Sequence, residues 1–225
     1  RNGFSSRKRT FIYKFKKRPN KNPLIIHYHD IKSLKNDVEL NDSFYKLYKA
    51  FSPGPITFVL NKKKNSKISK SSTAKLKTVA VRIPRNQTIR RILKVLKFPL
   101  AIPSANKSTR VSPVTAEDVA SEFGNSLKMI LKGKRSAIGL ESTVVDLTSK
   151  IKILRPGFIN QNDISRILKK RIKFSASNNK IKAPGMLKRH YSPGIPIKLN
   201  QKSSKKNQAF IVFGKKYKKA KNIFN

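Results

Sequence analysis

The chain has 225 residues, with 53 Lys and Arg against 10 Asp and Glu, a formal charge of +43. It contains neither Cys nor Trp, which excludes disulfide frameworks, thiolate chemistry and cysteine-based zinc sites. Its longest apolar runs, Ile56 to Leu60 and Pro99 to Pro103, are far too short to span a bilayer, and no cleavable signal opens the chain, so a cytoplasmic protein without membrane contact is expected.

Pro23 to Tyr28 (PLIIHY) predicts a buried strand. Asp42 to Phe51 predicts a helix, with an acid at its start and Phe44, Leu47 and Tyr48 at helical spacing. The turn Pro53-Gly54-Pro55 leads into a strand at Pro55 to Leu60. Asn61 to Lys70 is a Lys/Ser/Asn run expected to be a mobile surface loop. Lys77 to Ile83 alternates as a strand does, and Ile89, Ile92, Leu93 and Leu96 form a helical stripe over Gln87 to Lys97. Pro99 to Pro103 is a short strand feeding the polar loop Ser104 to Ser112. Thr115 is expected to cap a helix, with Asp118 completing an approximate capping box and Gly124 ending it. Leu127 to Leu131, Ser142 to Leu147 and Ile151 to Leu154 predict three further strands, and Asp163 to Lys170 a helix. This alternation points to an α/β fold with a mixed sheet. From Lys173 to Asn207 the pattern lapses into a Ser/Asn/Lys/Pro linker, after which Gln208 to Phe213 starts a new strand.

The charge permits two accounts. A strongly positive field is the footprint of a nucleic-acid binder. Enrichment in Lys, Asn and Ile also follows from drift toward A/T-rich codons, without any partner. The acids are unevenly placed: none falls between Asp42 and Glu117, and none after Asp163. An acid-free folded region could cradle a polyanion.

Five segments place polar residues at strand ends. Lys16-Lys17-Arg18-Pro19, with Asn22 and His27 following, offers a planar fork and a point charge for phosphate or carboxylate; a solvated basic turn is the plainer account. Ser52 to Thr57 is a rigid Pro-Gly-Pro turn. In Thr78 to Pro84, Thr78, Ala80 and Arg82 share one strand face, so Arg82 either lines a pocket floor or reaches solvent at an edge. Pro103 to Ser108, running on to Ser112-Pro113, could bind a ligand through hydroxyls and backbone N–H groups. In the fifth, Ser142 leads a buried strand and Arg155 closes the next. Glu141 is expected to partner a cation or a turn N–H, and Asp146 to stand at a strand end. His27 and His29 could form a metal pair, but no third ligand of suitable type is near in sequence, so no protein-held metal is predicted.

Taken together and in this order, KKRP with NPLIIH, SPGPITFVL, TVAVRIP, PLAIPSAN with SP, GLESTVVD and ILRPG resemble the L-threonylcarbamoyladenylate synthases with a YrdC-type domain, over about Phe11 to Ile172. The segment APGMLKRHYSP, from Ala183 to Pro193, resembles the linker of the family's long form, which carries an extra C-terminal domain. The resemblance implies an α/β, YrdC-like twisted mixed sheet with helices around a concave, positively charged cavity. It implies a catalytic domain over residues 1–172, a linker crossing the active site over 173–207, and the start of a C-terminal domain over 208–225. The reaction implied is L-threonine, bicarbonate and ATP giving threonylcarbamoyl-AMP and pyrophosphate. ATP would be a substrate, arriving as Mg-ATP. A downstream transferase complex would pass the threonylcarbamoyl group to the tRNA adenosine 3′ of the anticodon.

By the same resemblance, Lys16 and Arg18 would be catalytic. Arg18, Asn22, Thr78, Ser104, Asn106, Ser112, Arg155 and Tyr191 would contact ATP, with Tyr191 closing as a lid. His27, Arg82, Ile102 and Ser142 would hold threonine. The chain also departs from the family. A Pro-Thr-Glu-Thr-Val-Tyr-Gly-Leu type segment has no counterpart, Arg7 to Tyr13 is basic rather than amphipathic, and Thr109 stands where the family usually has Gly. A truncated or frame-shifted gene product is therefore expected. The alternative is a double-stranded RNA or tRNA binding module of the same fold, without catalysis but with RNA contact.

Overall fold

The computed structural model describes residues 3–174, 181–186, 192, 195–205, 207–212 and 223–224, with backbone alone for 6–10 and 223–224. The chain divides into two compact units, Arg1–Pro193 and Gly194–Asn225. The second holds a small parallel pair, β8 (Phe210–Ile211) and β9 (Ile223–Phe224).

The first unit is built on a seven-stranded mixed sheet. Its strands are β1 (Ile25–His27), β2 (Ile56–Asn61), β3 (Thr78–Arg82), β4 (Leu100–Ala101), β5 (Thr143–Asp146), β6 (Lys152–Arg155) and β7 (Lys173–Phe174), in the order β4-β1-β3-β2-β5-β6-β7. Parallel pairs (β1 with β3, β2 with β5, β6 with β7) alternate with antiparallel ones. The register puts His27 beside Arg82.

The helices are α1 (Ser6–Phe15), α2 (Ile31–Leu34), α3 (Asp42–Phe51), α4 (Gln87–Leu96), α5 (Ala116–Phe123) and α6 (Gln161–Leu168). Five of them start on a side chain that accepts an otherwise orphaned N–H: Asp30, Asn41, Asn86, Thr115 and Asn160. Thr115 with Asp118 is a complete capping box, and so is Asn160 with Asp163. For α3 the cap is Asn41, with the expected acid, Asp42, one step inside.

Side-chain alternation along the strands sorts the sheet into two faces. Ile26, Phe58, Val81, Val145 and Ile153 point into the main core, where Phe44 and Leu47 of α3 and Ile164 of α6 cover them. On the other face a smaller cluster joins Ile25, Val59, Ala80, Val144 and Leu154 to Ala183 and Met186 of the linker segment. A β-bulge between Val144 and Val145 brings Arg155 opposite Val144.

Two expectations are corrected. Leu127 to Leu131 is not a strand; Met129 and Leu131 are exposed on an irregular segment. Asn61 to Lys70 is tied down, because Ile68 enters the core and Asp37 accepts from Ser66 Oγ (2.7 Å) and the Lys67 N–H (3.1 Å). The basic stretch Arg7 to Tyr13 does form a helix, α1, which buries Ile12 and Tyr13 and stacks Phe15 on Phe123.

Candidate functional site

The sheet face not used by the main core carries the polar residues. Arg82 ends β3 on that face, beside His27, and its Nε–H donates to the Gly54 carbonyl at 3.1 Å. The Pro-Gly-Pro turn thus fixes Arg82 as well as β2. Burial, and then the charge of Arg155, pull the Arg82 guanidinium down to about 10.

Arg155, at the end of β6, is only 4% exposed. Its Nε and Nη2 donate to the Ser142 carbonyl (3.1 and 2.8 Å), Nη2 also to Ser142 Oγ (3.0 Å), and Nη1 to the Pro184 carbonyl (3.2 Å). Nη1 also meets Glu141 Oε2 in an ion pair. The other Glu141 oxygen accepts from Ser112 Oγ at 2.7 Å. Ser142 Oγ shares a 2.7 Å hydrogen bond with the buried Thr57 hydroxyl.

Lys16 and Arg18 come from the turn after α1. Lys16 is buried, and its ammonium donates to the carbonyls of Ser104 (2.5 Å) and Asn106. Arg18 donates to Asn22 Oδ1 (2.7 Å), the Asn22 carbonyl (3.1 Å) and the Pro23 carbonyl (2.7 Å), with Tyr13 beneath its guanidinium. Burial and the neighbouring Arg18 bring the Lys16 ammonium down to about 8. Burial also lowers Arg18, against an opposing pull from Tyr13. Glu141 offsets the positive field at Lys16, Arg18 and Arg82 and pairs with Arg155. The four cations come from three segments, the turn after α1, the end of β3 and the end of β6, and Arg155 among them is ion-paired with Glu141.

His27 is neutral. Burial, then repulsion from Arg82, drives its imidazole down to about 3, although it donates from Nδ1 to the Ile25 carbonyl at 3.2 Å. His29 instead bonds the Arg90 carbonyl at 3.1 Å. Among the described residues no three His, Cys, Asp or Glu side chains gather as a metal site.

The loop after β4 supplies the other wall. Ile102 is half-buried, and its N–H donates to the Ile25 carbonyl (3.3 Å). Asn106 closes the loop by donating to the carbonyls of Lys107 (2.9 Å) and Arg110 (2.7 Å), leaving its buried Oδ1 without a hydrogen-bond partner. Thr109 adopts φ +77°, so the turn keeps a left-handed bend despite a β-branched residue. Its carbonyl accepts the Ser192 N–H at 2.8 Å. Thr78 lies at the opposite end of β3 from Arg82, roughly 13 Å away along the strand, with its buried Oγ1 unpartnered. Tyr191 lies outside the described residues.

Several contributors carried little sequence signal. Thr57 braces Ser142 from within a strand. Glu122 of α5 accepts from the Lys107 N–H (2.9 Å) and Arg110 (3.1 Å), steadying the loop. Lys182 reaches Asp146, fully buried at the end of β5, at 2.8 Å. A cleft of about 890 Å³ lined by Asp30, Lys63, Lys94 and Phe98 contains none of the expected site residues. The buried cations and unpartnered acceptors mark the site better than that open cleft does.

Residues 3–157 match the Sua5/YciO/YrdC family, described as Telomere recombination. Residues 159–224 match the family described as Threonylcarbamoyl-AMP synthase, C-terminal domain. The threonylcarbamoyl-AMP synthase of Pyrococcus abyssi is 37% identical over 192 residues, covering 83% of this chain and 56% of that protein. The Bacillus subtilis enzyme of the same name is 35% identical over 207 residues, 89% of this chain and 59% of the relative. The chain thus spans somewhat over half the length of these relatives. The crystal structure of P. abyssi Sua5 complexed with L-threonine aligns with a TM-score of 0.80 at 35% identity, covering 85% of this chain and 57% of that one. E. coli YciO shares the fold at 18% identity, with a TM-score of 0.62 over 71% of this chain and 77% of that one.

Proposed function

As the chain belongs to the Sua5/YciO/YrdC family, we propose that it carries the catalytic part of a threonylcarbamoyl-AMP synthase. The observation that carries this reading is a cluster of cations held inside the fold by carbonyls and one carboxylate: Lys16 on Ser104 and Asn106, Arg18 on Asn22 and Pro23, Arg82 on Gly54, and Arg155 on Ser142 and Glu141. The substrates are all anionic or zwitterionic. Bringing a carbamate to a triphosphate requires fixed cations that neutralise repulsion and hold the partners in line.

Arg82 takes the threonine carboxylate as a fork, with neutral His27 and the Ser142 hydroxyl beside it. The threonine amine and bicarbonate give a carbamate and water. A carbamate oxygen attacks the α-phosphorus of ATP, the α–β P–O bond breaks, and pyrophosphate leaves with that bond's electrons. Lys16, Arg18 and Arg155 receive the phosphate charge. The unpartnered acceptor of Asn106 and the hydroxyls of Ser112 and Thr78 offer hydrogen bonds to the nucleotide, with Asn22, Ser104 and Ile102 shaping its pocket. Mg²⁺ comes with ATP, held by phosphate oxygens.

The linker covers this face. Ala183 and Met186 pack on the sheet, Pro184 accepts from Arg155, and Ser192 bonds Thr109. Those contacts support a linker role for residues 181–186 and Ser192; in this reading the linker spans 173–207, between a catalytic domain over 1–172 and the start of a second domain over 208–225, and carries Tyr191 as a lid. A lid of this kind would slow hydrolysis of the labile mixed anhydride before a transferase complex takes it to tRNA.

The test is pyrophosphate release by the chain, measured with each substrate left out in turn. Joint dependence on threonine, bicarbonate and ATP is expected. Wild-type turnover by Arg18→Ala or Arg82→Ala would sink these assignments. RNA binding that collapses with salt and ignores threonine and ATP would favour a binding module instead.

A further inference from the structure

We propose that Glu141 is a positioning residue of the nucleotide site, holding Arg155 and Ser112 toward the phosphates when no anion is bound. The inference rests on the synthase reading above for the identity of the ligand. Glu141 bridges two walls of the site: Ser112 belongs to the loop after β4, and Arg155 to β6. One carboxylate oxygen accepts from Ser112 Oγ at 2.7 Å and the other from Arg155 Nη1.

The remaining donors of Arg155 are committed. Nε and Nη2 are spent on Ser142, and Nη1 also reaches Pro184. The Nη1 edge facing Glu141 is therefore where Arg155 meets an anion, and Ser112 faces the same carboxylate. Glu141 occupies the position that an anionic ligand oxygen shares or takes over on binding. Without it, Arg155 would lose its carboxylate partner, and the Ser112 loop and Arg155 would separate in the absence of ligand. At 15% side-chain exposure, Glu141 is screened little by solvent.

The charges acting on Lys16 are Arg18, which lowers it, and Glu141 and Glu122, which raise it. Removing the Glu141 charge alone must then move the titration of Lys16 downward. This separates a positioning carboxylate from one that only supports the fold.

The experiment compares Glu141→Gln and Glu141→Ala in the full chain, using pyrophosphate release, ATP titration calorimetry and thermal melting. Glutamine keeps an acceptor for Arg155 and can donate to Ser112, so its kcat/KM for ATP is expected within about threefold of wild type near neutral pH, against a loss of about tenfold or more for alanine. In Glu141→Gln the basic limb of ATP affinity moves to lower pH. Wild-type kcat/KM in both variants with an unmoved basic limb would overturn the proposal. So would equal losses in both that track a lowered melting temperature, since that marks a structural role. If the wild-type chain binds ATP but releases no pyrophosphate, the synthase reading fails while ATP affinity and its pH limb still decide the role of Glu141.

Discussion

The buried imidazole of His27 makes a sharp prediction about acid stability. His27 is 6% exposed and sits beside Arg82, and burial first and that charge second drive it down to about 3. The unfolded chain protonates a histidine near its ordinary value of about 6.5. Between these values the unfolded state binds a proton that the native state refuses, so stability is complete above about 6.5 and falls as pH drops toward 3. At 1.36 kcal/mol per unit, the span corresponds to at most about 5 kcal/mol, and at pH 5 to about 2 kcal/mol. The perturbation is His27→Gln, which removes the titration and keeps a side chain able to bond a carbonyl. Urea denaturation of both proteins at pH 7.5 and pH 5 gives the double difference, in which the other titrating groups and any constant cost of the substitution cancel. Wild type should lose about 2 kcal/mol more than the variant between the two conditions. An equal loss in both would mean that His27 is solvated or charged in the folded protein, and a neutral hydrogen-bonding role toward threonine would go with it.

Lys16 titrates from the other side. Its ammonium loses its charge as pH rises through about 8, so the KM for ATP should climb above that pH in wild type and stay flat in Lys16→Met, as initial rates against pH would show. Thr109 holds φ +77°, and Thr109→Gly should raise stability by about 1 kcal/mol by relieving that strain; a lower melting temperature would contradict it. Lys182→Met strips the ion-pair partner from the fully buried Asp146 and should cost about 3 kcal/mol in thermal melts, most of it recovered when Asp146→Asn is added. Gly185 has φ +90°, and a Cβ there would lie 2.3 Å from Arg155 Cδ, so Gly185→Ala should weaken ATP binding by displacing Arg155 or the linker, read by calorimetry.

What could be read from the sequence was local. The start of α5 was legible because it depends on one side chain reaching an N–H three residues on, Thr115 with Asp118, whereas the caps of α3 and α6, Asn41 and Asn160, precede the expected starts at Asp42 and Asp163. Strands β2 and β3 were legible because turn residues bound them and their alternation is long enough to see. Leu127, Met129 and Leu131 alternate just as well, yet they form no strand. A strand needs a neighbour, and which segments pair is decided by the register of the whole sheet. Two-residue β7 fell inside the expected linker for the same reason: its pairing with β6, not its composition, makes it a strand. The cations of the site stood out at Pro- and Gly-bounded strand ends. Glu141 did not stand out as the partner of Arg155 and Ser112, since Arg155 lies 14 residues away in sequence and Ser112 lies 29. Thr57 and Glu122 were hidden too, because only tertiary packing gives them a polar partner.

The net charge of +43 says less about function than the placement of the ten acids that oppose it. Asp30, Asp118 and Asp163 accept helix N-terminal N–H groups, where the macrodipole favours a negative charge. Asp37 is buried under Tyr28 Oη, Ser66 and Lys67, and Asp146 pairs with Lys182 beneath the linker. Glu122 steadies the loop that carries Asn106, and Glu141 stands among the four site cations. With Glu117, which pairs with Lys132 at 3.4 Å, eight of the ten acids thus answer a specific donor. Exposed lysines can accumulate through composition alone, because a solvated ammonium at the surface costs the fold little. A buried cation cannot: Lys16 and Arg155 each need carbonyls or a carboxylate to remain inside. In this chain the burial of positive charge, rather than its amount, is what sets the proposed site apart from the exposed lysines.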